Sequence, residues 1–221
     1  MLADKGSIMF YAKWRTKHAI NRWRKALNIE QHKKVFHEIF DPVDGFSLSR
    51  KARTQNDALE YVYGEIEFES FIAVLSLAKL DSNTIFYDLG SGTGKAVIAC
   101  AMVFNPSKSV GVELFSVLHA SASEQHDKLK RQPDYARNAN KLTFIHDDFL
   151  KTNLAEATLI FINATGLFGT TWNQLNQRLD GLSGRPTIIT TSKKLLAKNY
   201  TLRHTTTAKM SWGVVDIYYH D

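Results

Sequence analysis

Apolar positions along the chain recur with two different periods, and the change from one to the other outlines its architecture. From Ala19 onward, Ile20, Trp23, Ala26 and Leu27 fall on one helical face, and Phe68, Phe71, Ile72 and Leu75 recur at i, i+3, i+4 and i+7. Beyond residue 80 the pattern becomes short β-branched and aromatic runs at 85–88, 110–113, 142–145, 159–163 and 187–190. Helix-length segments at 94–104, 115–130 and 171–182 separate several of them. Such alternation predicts an α/β fold with parallel strands, right-handed crossovers and helices on both faces of the sheet. The stretches 209–213 and 215–220 read as two further strands in a hairpin, which brings the sheet to seven. Asp41-Pro42-Val43-Asp44-Gly45 reads as a turn. The expected division is a mainly helical N-terminal segment at 1–53 and an α/β domain at 54–221.

Charge sharpens that division. Residues 1–53 hold 12 Lys/Arg against 5 Asp/Glu, whereas residues 54–221 hold 16 against 17. The net charge of +6 therefore belongs to the N-terminal quarter, a pattern suited to a polyanion such as nucleic acid or to an anionic surface. Lys13, Trp14, Arg15, Trp23 and Arg24 in residues 10–29 also suit a helix lying on a membrane surface. No run of 18 apolar residues is present and the first residues lack a secretory pattern, so an intracellular, cytoplasmic or nuclear protein is expected. Cys100 is the one cysteine, which excludes a disulfide framework, and the eight histidines show no metal-ligand spacing.

The most informative segment is Asp88-Leu89-Gly90-Ser91-Gly92-Thr93-Gly94-Lys95, between the first strand of the α/β region and an apolar helix. Closely spaced glycines let a backbone turn sharply and approach a ligand. A phosphate-binding P-loop would need Gly at 89 and Ser or Thr at 96, where Leu89 and Ala96 stand. A dinucleotide fingerprint would read G-x-G-x-x-G, whereas Gly90, Gly92 and Gly94 give G-x-G-x-G after an acid. That variant suits S-adenosylmethionine, a nucleoside with a cationic amino-acid end and no pyrophosphate. Asp88 supplies negative charge for the ammonium, and Glu113, at the end of the next strand, can accept from the ribose hydroxyls. Asp148 and Phe149, after the third strand, suit the adenine amino group and ring. The expected activity is methyl transfer.

Several motifs resemble the disruptor-of-telomeric-silencing family of non-SET histone lysine methyltransferases, which has the Rossmann-like class I methyltransferase fold. They are Tyr63-Gly64-Glu65, Asp88-Leu89-Gly90-Ser91-Gly92 with Gly94, Gly111-Val112-Glu113, Asp148-Phe149-Leu150, Phe161-Ile162-Asn163 with Phe168-Gly169, Ser211-Trp212, and Tyr218-Tyr219. The similarity spans about residues 60–221, with Ala164 where the family has a second Asn. The resemblance implies a lysine-bearing protein as acceptor, such as a histone or nucleosome. It places Asn163 at the end of the lysine channel, with Tyr63, Phe168 and Tyr218 or Tyr219 as its walls. Together the motifs define an expected cofactor shell of Tyr63, Glu65, Asp88, Gly90, Ser91, Gly92, Gly94, Lys95, Glu113, Leu114, Asp148, Phe149 and Asn163. RNA or a small molecule as acceptor, and a non-catalytic cofactor-binding scaffold, are the alternative readings. Asn163-Ala164-Thr165 lacks the D/N-P-P-Y/F signature of nucleic-acid amino-methylating enzymes.

Overall fold

The computed structural model describes residues 5–53 and 63–221, with side chains from residue 16. The side chains of Lys13, Trp14 and Arg15, and residues 54–62 at the start of the expected α/β domain, lie outside the described residues. Three helices lead the chain: α1 (Lys5–Ala26), α2 (Ile29–Phe40) and α3 (Gly45–Arg53). After α4 (Phe68–Leu77) come β1 (Ile85–Leu89), α5 (Lys95–Phe104), β2 (Lys108–Glu113), α6 (Ser116–Lys130), α7 (Ala136–Ala139) and β3 (Leu142–His146). Then follow β4 (Leu159–Ile162), α8 (Gly169–Asp180), β5 (Thr187–Thr191), β6 (Leu202–Met210) and β7 (Gly213–His220). No helix among the described residues is long and apolar enough to cross a membrane.

The seven strands form one sheet in the order β3-β2-β1-β4-β5-β7-β6. The first five are parallel, and β7 runs antiparallel to both β5 and β6. This is the α/β sheet expected from the strand–helix alternation, in the Rossmann-like form that the family resemblance implies. Strand parity divides the core. Phe86, Leu159 and Phe161 face one side with α2, α4 and α5, while Tyr87, Leu89, Ile160 and Ile162 face the other with α8. Both faces are covered, so the strands read as nearly continuous apolar runs. All parallel strands end at one edge, and the chain reverses its direction of travel across the sheet beside β1, between β2 and β4. Crevices for ligands in open α/β sheets form at such a switch point.

Two details differ from the expected pattern. The first strand of the terminal hairpin runs from Leu202 to Met210 rather than 209–213, with Ser211 and Trp212 forming the turn. His204-Thr205-Thr206-Thr207 is polar throughout, so an edge strand there carries no apolar alternation. In α1, Ile20 is 44% exposed rather than packed with Trp23 and Leu27. Near the end of that helix, Trp23 Nε1 donates to Ser76 Oγ at 3.0 Å.

The core is continuous from the N-terminal segment into the body. Ile29, Phe36, Ile39 and Phe40 of α2 are buried with Phe68 and Phe71 of α4, and the Phe36 and Phe68 rings lie 4.7 Å apart. Truncating Ile39, which is 2% exposed, therefore removes packing from the main core. Ile39→Ala is expected to lower the unfolding free energy of the full chain by about 2–5 kcal/mol in urea titration. A loss below about 0.5 kcal/mol, the range of surface substitutions, would show that α2 does not share the core.

Candidate active site

The loop after β1 is held from the neighbouring strand. Gly90 and Ser91 N–H groups both donate to Val112 O, at 2.9 and 3.0 Å, and Gly92 N–H donates to Glu113 Oε2 at 2.8 Å. Gly90 has φ +86°, and a Cβ built there meets nothing within 4 Å, so its open side faces free space. Gly92 has φ +55°, and a Cβ there would lie 2.7 Å from the Tyr63 ring. One glycine thus leaves room for a ligand and the next lets the aromatic wall close in.

Two carboxylates flank this loop. Asp88 is 4% exposed, and among the described residues its carboxylate has no hydrogen-bond partner. Burial, then the nearby Glu113 carboxylate, pushes it up to about 8. Glu113 is engaged differently: Oε1 accepts from Phe115 N–H at 2.9 Å while Oε2 holds Gly92. Burial raises it too, against the hydrogen bonds that favour its charge. Glu113 therefore both shapes the glycine loop and borders the cleft.

These groups line one cleft of about 220 Å³. Tyr63, Glu65, Asp88, Gly90, Ser91, Gly92, Lys95, Glu113, Leu114, Asp148, Phe149 and Asn163 all border it. Its front wall is a polar network: Tyr63 Oη donates to Glu65 Oε1 at 2.6 Å and Lys95 Nζ to Glu65 Oε2 at 2.5 Å. Burial and the Glu65 carboxylate push the Tyr63 phenol well above its ordinary value, so it remains a donor. At the far end Asn163 Nδ2 donates to Gly64 O at 3.1 Å and Oδ1 accepts from Thr191 Oγ1 at 2.7 Å. The amide is held at both ends and its orientation is set. Asp147 turns into its own loop, accepting from Asp148 N–H and Thr152 Oγ1, both at 2.8 Å, so Asp148 is the acid on the cleft.

Three expected site residues lie elsewhere. Gly94 does not border the cleft; it precedes α5 with φ +86°, and a Cβ there would lie 2.7 Å from the Phe144 ring. Phe168 is 51% exposed with Lys193 Nζ 3.4 Å from its ring centroid, and Leu167 takes the place on the cleft. The short 3₁₀ turn Ala164–Gly166 leads directly into Leu167, one position before Phe168. Tyr218 is directed away by strand parity: Ile217 and Tyr219 face the core with α4, and Tyr219 Oη donates to Val74 O at 2.8 Å. Tyr218 Oη instead donates to Asp216 Oδ2 at 3.2 Å. The cleft also holds residues that the motifs did not mark: Ser49 from α3, Leu118 from α6 and Met210 from β6. Trp212 packs so closely on Gly64 that a Cβ there would lie 1.8 Å from its ring.

The state of Asp88 has a pH signature. Its folded value of about 8 lies above the ordinary 3.8, so between those values the folded chain keeps a proton that the unfolded chain has released. Stability is then fully present below about pH 4 and falls as pH rises toward 8, by at most about 1.4 kcal/mol per pH unit. Asp88→Asn removes this dependence. Urea unfolding at pH 5, 7 and 9 is expected to show the variant gaining on the parent as pH rises; a gap independent of pH would contradict the assignment.

The profile of the family described as histone methylation protein DOT1 matches residues 48–215. A Caenorhabditis elegans histone-lysine N-methyltransferase, H3 lysine-79 specific, is 31% identical over 139 residues, covering 60% of this chain and 15% of that protein. A protein-lysine N-methyltransferase of Saccharolobus islandicus is 28% identical over 89 residues, covering 39% of this chain and 50% of that one. The chain thus spans a small part of the first relative's length and half of the second's. The solved structure of magnesium protoporphyrin IX methyltransferase from Synechocystis PCC 6803, with bound SAM, shares the fold. Its TM-score is 0.56 at 11% identity, over 86% of this chain and 96% of that one. With a profile match over most of its length, this chain belongs to the DOT1 histone methylation protein family.

Proposed function

We propose that the chain is an S-adenosylmethionine-dependent protein-lysine N-methyltransferase acting on a histone or a similar basic protein. The observation that carries this reading is the buried Asp88 carboxylate, without a partner among the described residues, beside the open face of Gly90. A carboxylate so placed is stabilised in its charged form by a cation in the cleft. The buried Ser91 hydroxyl, on the same cleft, also lacks a hydrogen-bond partner among the described residues. These features fit a nucleoside with a cationic amino-acid end. Family membership adds histone methylation as the setting.

When bound, S-adenosylmethionine supplies a methyl group activated by its sulfonium. The chain's own residues hold and orient. Asp88 supplies negative charge, Glu113 keeps the glycine loop closed while its remaining lone pairs face the cleft, and Asp148 with Phe149 borders the purine side. Asn163, fixed between Gly64 and Thr191, borders the acceptor side with the apolar Phe161, Leu167 and Met210. A free lysine titrates near ~10.4, and only its neutral amine is nucleophilic. An apolar approach to Asn163 disfavours the ammonium and so favours that form. The basic surplus of residues 1–53 suits phosphate contacts to nucleosomal DNA.

Incubation with methyl-tritiated cofactor and, separately, nucleosomes, free histones and RNA tests the reading. Label on a histone lysine is the expected result; label on RNA alone, or on nothing, overturns it. Asn163→Ala is expected to leave cofactor affinity within about threefold while lowering kcat about 100-fold through lost positioning. Equal loss of both would assign Asn163 to cofactor binding alone.

A further inference from the structure

The N-terminal helices reach the cofactor cleft itself. Gly45, the first residue of α3, packs so tightly on the front wall that a Cβ there would lie 2.5 Å from Tyr63 Oη and 2.8 Å from Glu65 Oε1. The next residue, Phe46, meets the Tyr63 ring edge-to-face at 5.3 Å. Lys95, which donates to Glu65, has its Nζ 5.6 Å from the Phe40 ring centroid at the end of α2. One turn further along α3, Ser49 borders the cleft and is 1% exposed.

The hydroxyl of Ser49 faces the cleft. Serines within helices commonly return their hydroxyl to the carbonyl one turn back. Ser76 does so to Ile72 O at 2.8 Å, and Ser123 to His119 O at 3.1 Å. Ser49 makes no such bond and has no hydrogen-bond partner among the described residues. Ser49 lines the cleft, so the occupant of the cleft can supply the partner of its hydroxyl.

We infer that Ser49 is a cofactor-contacting residue, its hydroxyl hydrogen-bonded to an oxygen or nitrogen of the bound nucleoside amino acid. This rests on the proposed cofactor reading and adds the N-terminal segment to the site that the glycine loop, Glu113 and Asp148 begin. The small side chain matters as much as the hydroxyl, because anything longer from this helical position enters the cleft. Cofactor binding and the seating of α3 are then linked reciprocally: each strengthens the other by the same factor.

Calorimetric titration of S-adenosylhomocysteine into the full chain and its variants tests this. Ser49→Ala is expected to weaken binding about 3- to 10-fold, as loss of one hydrogen bond does, with the melting temperature unchanged. Ser49→Thr, which keeps the hydroxyl, is expected to bind more tightly than Ser49→Ala. Ser49→Phe, which fills the cleft, is expected to abolish measurable binding. Ser49→Ala with the parental Kd, or Ser49→Thr no better than Ser49→Ala, overturns the inference whether or not Ser49→Phe folds. Asp88→Ala separates the two levels. If it alone loses binding, the cofactor reading stands and the role of Ser49 fails; if it too binds like the parent, the cofactor reading itself fails.

Discussion

Two buried carboxylates at the tips of adjacent strands are the arrangement on which the rest of this structure depends. Like charges placed together in a dry environment repel, and among the described residues neither Asp88 nor Glu113 has a basic side chain as hydrogen-bond partner. Glu113 resolves its part of the problem within the fold, by accepting two backbone N–H groups. Asp88 does not, and remains open to a cation from outside. The division of labour between them links architecture to chemistry: one acid builds the loop, the other waits for a ligand.

The remaining walls come from distant parts of the chain, and each is positioned by packing rather than by local sequence. Tyr63 and Glu65 precede α4, Asn163 follows β4, Met210 ends β6 and Ser49 belongs to α3. The sheet provides the common reference. Leu89 pairs with Ile162 and Ile162 with Thr190, so Asn163 necessarily emerges beside Thr191, its hydrogen-bond donor. On the other side, the core shared by α2, α4 and α5 fixes the N-terminal helices against the front wall.

Much of this was legible in the residues. The glycine loop, both acids and the strand ends carry local signals, because tight turns need glycine and strands buried on both faces need continuous apolar runs. Asp148 was distinguishable from Asp147 by the aromatic residue after it. What escaped reading lacked a local signal or hinged on a single-residue shift. Phe168 yields its place on the cleft to its neighbour Leu167, and strand parity turns Tyr218 outward while Tyr219 packs into the core. The apolar spacing of Phe36, Ile39 and Phe40 in α2 was a helical signal within the basic segment. Ser49 had none: a serine in a polar helix is unremarked until the fold places it on the wall of the cleft.

The segment around Ile66 is itself paired to the terminal hairpin. Ile66 bridges Met210, Glu67 N–H donates to Lys209 O and Ser211 N–H donates to Glu65 O. The front of the cleft is therefore stapled to residues almost 150 positions downstream. During synthesis on the ribosome, the glycine loop and β1 to β5 emerge well before that staple can form. A nascent chain can assemble most of its sheet and still lack a closed nucleoside site, so the ligand is unable to guide folding until the hairpin has left the exit tunnel.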